Sequence, residues 1–224
     1  MKLIEAAQQR EKGQILRWTH YFEAYDFHFQ GLKPKRLLEI GVMGGGSLWM
    51  WKRYFPGAEI VGVDIDEKCR QWEDEVKGVK VFVGDQGDVG FLKNLNEIVG
   101  PFDIIIDDGS HKMDDQQTSL ALLFPTMPDG GIYVIEDLHT SYWPTWGGSV
   151  IGGNTTLSFL KNIIGFIHNW AKRSHEAQTS NDYLVPDNYW EKNVSSMHFY
   201  DSICFIYKTG HGQNKLGEGG EWHG

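Results

Sequence analysis

Residues 36–66 read RLLEIGVMGGGSLWMWKRYFPGAEIVGVDID, and their pattern decides the fold. Arg36–Ile40 is a short β-rich run that stops at Gly41. Ser47–Phe55 carries helical spacing and is stopped by Pro56-Gly57. Glu59–Asp64 is a second apolar run, again closed by an acid. Strand, glycine-rich turn, helix and strand in about thirty residues is a βαβ unit, whose two strands must be parallel.

Working outward, the unit repeats. A charged helix is predicted from Asp66 to Val76, a third run at Val79–Val83, and a helix at Asp88–Val99 closed by Gly100-Pro101. Phe102–Asp107 (FDIIID) is the fourth run, Met113–Met127 a helix ended by Pro128-Asp129-Gly130-Gly131, and Ile132–Ile135 the fifth run. Continuous apolar runs alternating with helices predict a parallel sheet covered on both faces, and right-handed crossovers make it doubly wound. The end breaks the pattern. Met197–Tyr200 and Ile203–Tyr207 are separated only by Asp201-Ser202, which permits a hairpin and no crossover. The expected fold is an α/β, Rossmann-like, doubly wound sheet of seven strands, mostly parallel, with the last strand antiparallel.

One domain is expected over residues 1–224. It would have an N-terminal helical segment (1–30), a Gly/Trp/Ser/Thr-rich active-site loop (138–155), a helix at Thr156–Lys172, and a frayed Gly-rich tail (215–224). The 21 basic residues against 30 acidic ones give a formal charge of −9, which argues against a nucleic-acid binder or docking on an anionic membrane. Hydrophobic residues at 41% and charged residues at 23% are globular and not disordered proportions. Cys69 and Cys204 make no disulfide scaffold. MKLIEAAQQREKGQ has no long apolar run after its charges, so no secretory signal is expected, and a cytoplasmic location follows as the expectation.

In an open parallel sheet, ligands sit beyond the carboxyl ends of the strands. Those ends read Glu39-Ile40-Gly41, Asp64, Asp85, Asp107-Asp108 and Glu136-Asp137, an acid at every one. The turn Gly41–Ser47 offers close backbone approach and a helix N-terminus. It lacks both the dinucleotide GxGxxG spacing and the lysine of a phosphate loop. Asp64, ending the second strand, is placed to hold ribose hydroxyls, and Gly84-Asp85-Gln86 ends the third, where an adenine would lie. An adenosine-bearing ligand is expected. The strings Asp107-Asp108-Gly109-Ser110-His111 and Glu136-Asp137-Leu138-His139 end neighbouring strands. Clustered carboxylates repel unless a cation lies among them, and hard oxygen ligands favour Mg²⁺, Mn²⁺ or Ca²⁺ over Zn²⁺. His111 is a candidate general base; the bland alternatives are a helix cap or a solvated loop residue.

The stretches LLEIGVMGGGSLWMWKRYF (37–55), VGVDID (61–66), VGDQ (83–86), FDIIIDDGSH (102–111) and GGIYVIEDLHTSYWP (130–144) resemble class I S-adenosylmethionine-dependent methyltransferases. They are most similar to the metal-dependent sugar O-methyltransferases of antibiotic biosynthesis, the mycinamicin type, with the cephalosporin hydroxylase/rhamnosyl O-methyltransferase kin. Tyr21–Tyr25 (YFEAY) also fits the segment preceding the first strand in that family. The resemblance covers about residues 18 to 150. It implies Mg²⁺ (or Mn²⁺) ligation by Asp108, Glu136 and Asp137, and His111 as catalytic base. It places Tyr21, Glu39, Gly41, Ser47, Asp64, Asp85, Gln86 and Asp107 on the S-adenosyl-L-methionine side, Ser47 toward the methionine carboxylate.

The implied reaction is transfer of the cofactor's methyl group to a hydroxyl, one of a vicinal diol, on a sugar or glycosylated natural product. His139, Trp143 and Trp146 are candidate acceptor contacts; packing of the loop itself is the alternative. A non-sugar acceptor, polyketide or catechol-like, and a cofactor-binding protein without catalysis remain alternatives. Relatives of the mycinamicin type carry a further N-terminal domain that helps build a tetramer. Only about 30 residues precede the first strand here, which leaves a homo-oligomer open.

Overall fold

β1 (Arg36–Ile40), β2 (Glu59–Asp64), β3 (Val79–Val83), β4 (Ile104–Asp107) and β5 (Ile132–Ile135) fall where the apolar runs lie. β6 (Val194–Tyr200) and β7 (Ile203–Lys208) follow. The computed structural model describes residues 1–169 and 188–210. The expected tail (215–224) and the end of the helix toward Lys172 lie outside them.

The seven strands run in the order β3-β2-β1-β4-β5-β7-β6. The first five are parallel, and β7 is antiparallel to both β5 and β6, as the two-residue Asp201-Ser202 turn requires. Alternate strand residues feed two cores. Leu37, Ile60, Ile104, Val134 and Phe205 pack with α1 (Leu3–Gln8), α2 (Tyr21–Phe29) and α3 (Gly46–Tyr54) on one face. Leu38, Val61, Ile105, Tyr133 and Ile206 pack with α4 (Val89–Val99), α5 (Met113–Leu123) and α6 (Thr156–Ile167) on the other. Both faces are dry, which is why these strands read as continuous apolar runs. The order reverses between β1 and β4, and a crevice opens at that switch point.

Three elements differ from expectation. Asp66–Val76 is not an α-helix but two 3-10 turns, Glu67–Trp72 and Glu75–Lys77. Only Cys69 is buried there, so no apolar stripe holds a helix against the sheet; Asp66 and Asp74 accept from the backbone N–H groups of Lys68 and Lys77 instead. The helix at Met113–Met127 stops at Leu123 and tightens into a 3-10 turn, Phe124–Thr126, at Pro125, which has no N–H to donate. The N-terminal segment is two short helices joined by a non-helical strap over residues 9–20. The strap is held by backbone pairing: Gln14 N–H donates to the Gly44 carbonyl (2.9 Å), and Gly46 N–H to the Gln14 carbonyl (3.0 Å). No helix among the described residues is long and apolar enough to cross a membrane.

Candidate active site

A cavity of about 860 Å³ lies over the switch point. The glycine-rich turn after β1, Asp64, Asp85, Gln86, the loop Asp108–Lys112, and Glu136-Asp137 form its floor and walls, and strap residues Gln14–Trp18 form its roof. Gly41, with φ of +96°, is required where the ends of β1 and β4 meet. A Cβ there would stand 2.0 Å from the Asp108 carbonyl oxygen.

On the cofactor side, Asp64 accepts from the backbone N–H groups of Val42 (2.9 Å), Met43 (2.8 Å) and Asp66 (2.9 Å). Burial pushes its carboxyl up, but those three donors outweigh it and hold the pKa below the usual range. Asp85 is exposed, and its carboxylate caps Gly87 N–H (2.8 Å). Gln86 is a buried crosspiece: its Nε2 donates to Asp107 (2.7 Å), and its Oε1 accepts from Ser110 N–H (2.8 Å). Asp107 is fully buried and also accepts from Ser119 (2.5 Å) and Tyr133 (3.2 Å). Burial pushes its pKa up to about 6 despite these donors. Glu39 is fully buried too, accepting from Ser47 Oγ (2.7 Å) and Trp51 Nε1 (3.0 Å). Gly41, Ser47, Asp64, Asp85 and Gln86 therefore line the cavity, whereas Glu39 and Asp107 brace it from beneath.

At the other end, sequence reasoning missed the central residue. Arg17, from the strap, puts a guanidinium with a side chain only 1% exposed among the acids. Its Nη2 donates to Glu39 and Asp108, both at 2.9 Å, and its Nε to the Glu136 carboxylate at 3.0 Å. It lies over the rings of Trp51 (5.4 Å) and Tyr25 (5.7 Å), an aromatic seat for a cation. Burial opposes the charged guanidinium, but Glu136, Asp108 and Glu39 overcome it and hold Arg17 well above its ordinary pKa. No motif marks Arg17; the only hint in the sequence is a row of acids with no cation near it in the chain.

The acids divide around it. Glu136 is 1% exposed and accepts from Arg17 and from the Tyr25 hydroxyl. Burial pushes its pKa up to about 7. Asp108 gives one oxygen to Arg17 and turns the other toward His111 Nε2, 3.9 Å away. Asp137 accepts from Tyr21 OH (2.9 Å) and Trp18 Nε1 (3.1 Å) and sets its second oxygen 3.5 Å from His111 Nε2. Asp108, His111 and Asp137 each offer a ligand atom within 4.8 Å of the others, the spacing of a cation site. His111 and Asp137 both hold φ of +56°, a conformation that costs a non-glycine residue about 1–3 kcal/mol and concentrates at functional sites. Burial holds the His111 pKa below its usual value, although Asp137 pulls upward. Its Nδ1 is buried without a partner.

Tyr21, which the resemblance puts on the cofactor side, donates its hydroxyl to Asp137 (2.9 Å). His139 lies outside the cavity lining; its backbone N–H and its Nδ1 both meet Ser202 Oγ. Trp143 is exposed and Trp146 half-buried, both on the loop beyond Asp137 and neither in the cavity wall.

No protein-family model matches the chain. It is 39% identical over 204 residues to the mycinamicin VI 2''-O-methyltransferase of Micromonospora griseorubida, spanning 85% of this chain and 49% of that protein. It is 38% identical over 205 residues to the 8-demethyl-8-alpha-L-rhamnosyl tetracenomycin-C 2'-O-methyltransferase of Streptomyces olivaceus, spanning 86% of this chain and 52% of the relative. The solved MycE methyltransferase in complex with Mg, SAH and mycinamycin VI superposes with a TM-score of 0.77 at 34% identity, over 99% of this chain and 56% of that one. The chain thus spans about half the length of the curated relatives it matches. By sequence and fold together, it is a homologue of the macrolide and sugar O-methyltransferases and has the Rossmann-like sheet of the class I methyltransferases.

Proposed function

We propose that this chain is an S-adenosyl-L-methionine-dependent O-methyltransferase. It would use a divalent cation, Mg²⁺ (or Mn²⁺), to methylate one hydroxyl of a vicinal diol on a sugar or glycosylated natural product. The observation that carries the reading is adjacency. A cavity built from a glycine turn and Asp64 opens directly onto Asp108, His111 and Asp137, whose ligand atoms lie within 4.8 Å of one another. Relatives 37–39% identical carry O-methyltransferase names.

In this reading Asp64 takes the ribose hydroxyls, Asp85 and Gln86 the adenine end, and Gly41 and Ser47 the methionine end. Glu39 and Asp107 hold the turn and the strand ends in register beneath. Asp108 and Asp137 are oxygen donors of the kind Mg²⁺ takes, and His111 turns its Nε2 toward both. Glu136, the third acid of the proposed ligand set, is held by Arg17 and Tyr25 and fixes the charge balance behind the pair. When bound, the cation supplies acidity to the acceptor hydroxyl, and the cofactor supplies an electrophilic methyl group. His111, kept neutral by burial, accepts the hydroxyl proton at Nε2. Tyr21 orients Asp137. The strap roofs the cavity and keeps water from the transfer. His139, Trp143 and Trp146, outside the cavity wall on the loop beyond Asp137, would meet the part of the acceptor that extends from the cavity.

The test is a methyl-transfer assay read by mass spectrometry. The chelated protein and the Mg²⁺-loaded protein are compared on rhamnosides with free and with blocked vicinal diols. Gain of one CH₂ only on the diols, and only with the cation, is the expected result. Full activity after complete metal removal defeats the cation reading. Binding of cofactor without transfer to any acceptor leaves a non-catalytic cofactor binder.

A further inference from the structure

At the mouth of the cavity and beyond it, indoles stand in water: Trp18 is 54% exposed and Trp143 46%. With His139 and the half-buried Trp146 they form a row. From Trp18 the ring centroids step 6.1 Å to His139, 4.6 Å to Trp143 and 5.3 Å to Trp146. The row begins at the site, because Trp18 lines the cavity and its Nε1 donates to Asp137 at 3.1 Å. It is also rigid. Ser202 Oγ holds His139 through its backbone N–H (3.0 Å) and its Nδ1. The loop closes on itself through Trp143 N–H to the Thr140 carbonyl (2.9 Å) and Gly148 N–H to the Trp143 carbonyl (3.0 Å). Gly148 is what allows that return: a Cβ there would stand 2.3 Å from the Thr140 oxygen.

The charge pattern identifies the occupant. The cavity end is crowded with carboxylates, yet from Leu138 through Thr155 there is no Asp, Glu, Lys or Arg, in a chain that is 23% charged. Such a surface, continuous with a pocket that handles polar groups, suits a neutral ligand with one polar and one apolar end. Resting on the proposed methyl transfer to a glycoside, we infer that Trp18, Trp143 and Trp146 are the platform for the acceptor's apolar aglycone. The sugar projects from it, past Trp18, to Asp137 and His111. The row would then set which glycosides are accepted, while the carboxylates and the imidazole act on the hydroxyl. Trp18 joins the two functions, stacking through its ring and orienting Asp137 through its Nε1–H.

Two probes share the sugar and differ in the aglycone: methyl α-L-rhamnopyranoside and 2-naphthyl α-L-rhamnopyranoside. Turnover is measured with S-adenosylmethionine and Mg²⁺, and binding by calorimetry on protein loaded with S-adenosylhomocysteine. The wild type is expected to favour the naphthyl glycoside by about tenfold or more in kcat/KM, carried by KM. Trp143→Ala, Trp146→Ala and Trp18→Ala each cut that preference severalfold, whereas Trp18→Phe, which keeps a ring, retains it. Trp143 is exposed, so loss of fold does not account for such a result there, and urea unfolding of Trp146→Ala makes the same check for the half-buried Trp146. Preference and affinity unchanged in Trp143→Ala and Trp146→Ala overturn the platform, as does methylation of both probes with no preference, which leaves the methyl-transfer reading standing. Binding of the naphthyl glycoside that depends on Trp143 but yields no product supports the platform and overturns sugar methylation instead. Absence of both binding and turnover with the naphthyl glycoside overturns both.

Discussion

Replacing Arg17 by methionine keeps the aliphatic length over Tyr25 and Trp51 and removes the only cation that touches Glu39, Asp108 and Glu136 among the described residues. At an effective dielectric of about 20, unit charges about 4 Å apart interact by about 4 kcal/mol. Arg17 has three such partners at 2.9–3.0 Å, but much of that attraction only repays the cost of burying the charges. Deleting one partner of a buried ionic group leaves the others uncompensated, at about 3–5 kcal/mol. The acids can escape part of this by binding protons, since burial already lifts Glu136 to about 7, so the full loss is sought at a pH near 8. The assay is urea unfolding of wild type and Arg17→Met followed by tryptophan fluorescence, in EDTA and in MgCl₂. The expected result is a loss of about 3–5 kcal/mol in EDTA. When Mg²⁺ is near 100 times the variant's Kd, the variant gains about 2–3 kcal/mol over its own value in EDTA, and its gap to the wild type narrows by as much as the wild type, whose Arg17 already neutralises the acids, gains less. Arg17→Lys, a point charge without the planar fork, falls between. A loss below about 1 kcal/mol in EDTA, the range of an exposed ion pair, refutes the view that Arg17 balances the cluster. A loss equal in EDTA and in Mg²⁺ refutes the view that the cation shares it.

Three further outcomes are expected. His111→Ala retains cofactor binding by calorimetry and loses methyl transfer by about 10²–10⁴-fold; wild-type turnover removes His111 from the mechanism. Gly41→Ala forces a Cβ against the Asp108 carbonyl at a φ of +96°, so its unfolding free energy falls by at least about 2 kcal/mol and cofactor affinity falls with it; a stability within error of wild type contradicts this close approach. His28 bonds the hydroxyls of Tyr207 (2.7 Å) and Tyr200 (2.9 Å), and burial, then the neighbouring His198, pushes it down to about 4. A depressed histidine binds its proton more readily when unfolded, so stability is full above about 6.5 and falls toward pH 4, by at most about 3 kcal/mol. His28→Gln should flatten that acid limb in urea midpoints measured at several pH values, and an unchanged slope would assign it to other groups.

The topology was legible because it is written in local periods. Buried parallel strands are continuous apolar runs, and a two-residue link cannot carry a crossover, so the strand count and the reversed last strand follow from Arg36–Ile135 and Met197–Tyr207. The row of acids was legible for the same reason, since every buried parallel strand of such a sheet delivers its last residue to one edge. Adjacency in sequence did not say how those acids divide. Asp107 and Asp108 are neighbours, yet the strand's alternation turns the first into a buried network with Gln86, Ser119 and Tyr133 and the second toward Arg17 and His111.

Sequence by itself therefore determined the sheet, its direction and the edge at which chemistry could occur, because each depends on spacing within about thirty residues. Only the tertiary structure decided what stands over that edge. Arg17 lies 22 residues from Glu39, 91 from Asp108 and 119 from Glu136, and Trp18 lies 119 from Asp137. No period or motif links such positions. They meet because an irregular strap, fixed by the Gln14 pairing with Gly44 and Gly46, leaves the following residues nowhere to go but across the mouth of the cavity. Long-range packing of that kind is set by the whole fold and is not encoded in any one segment.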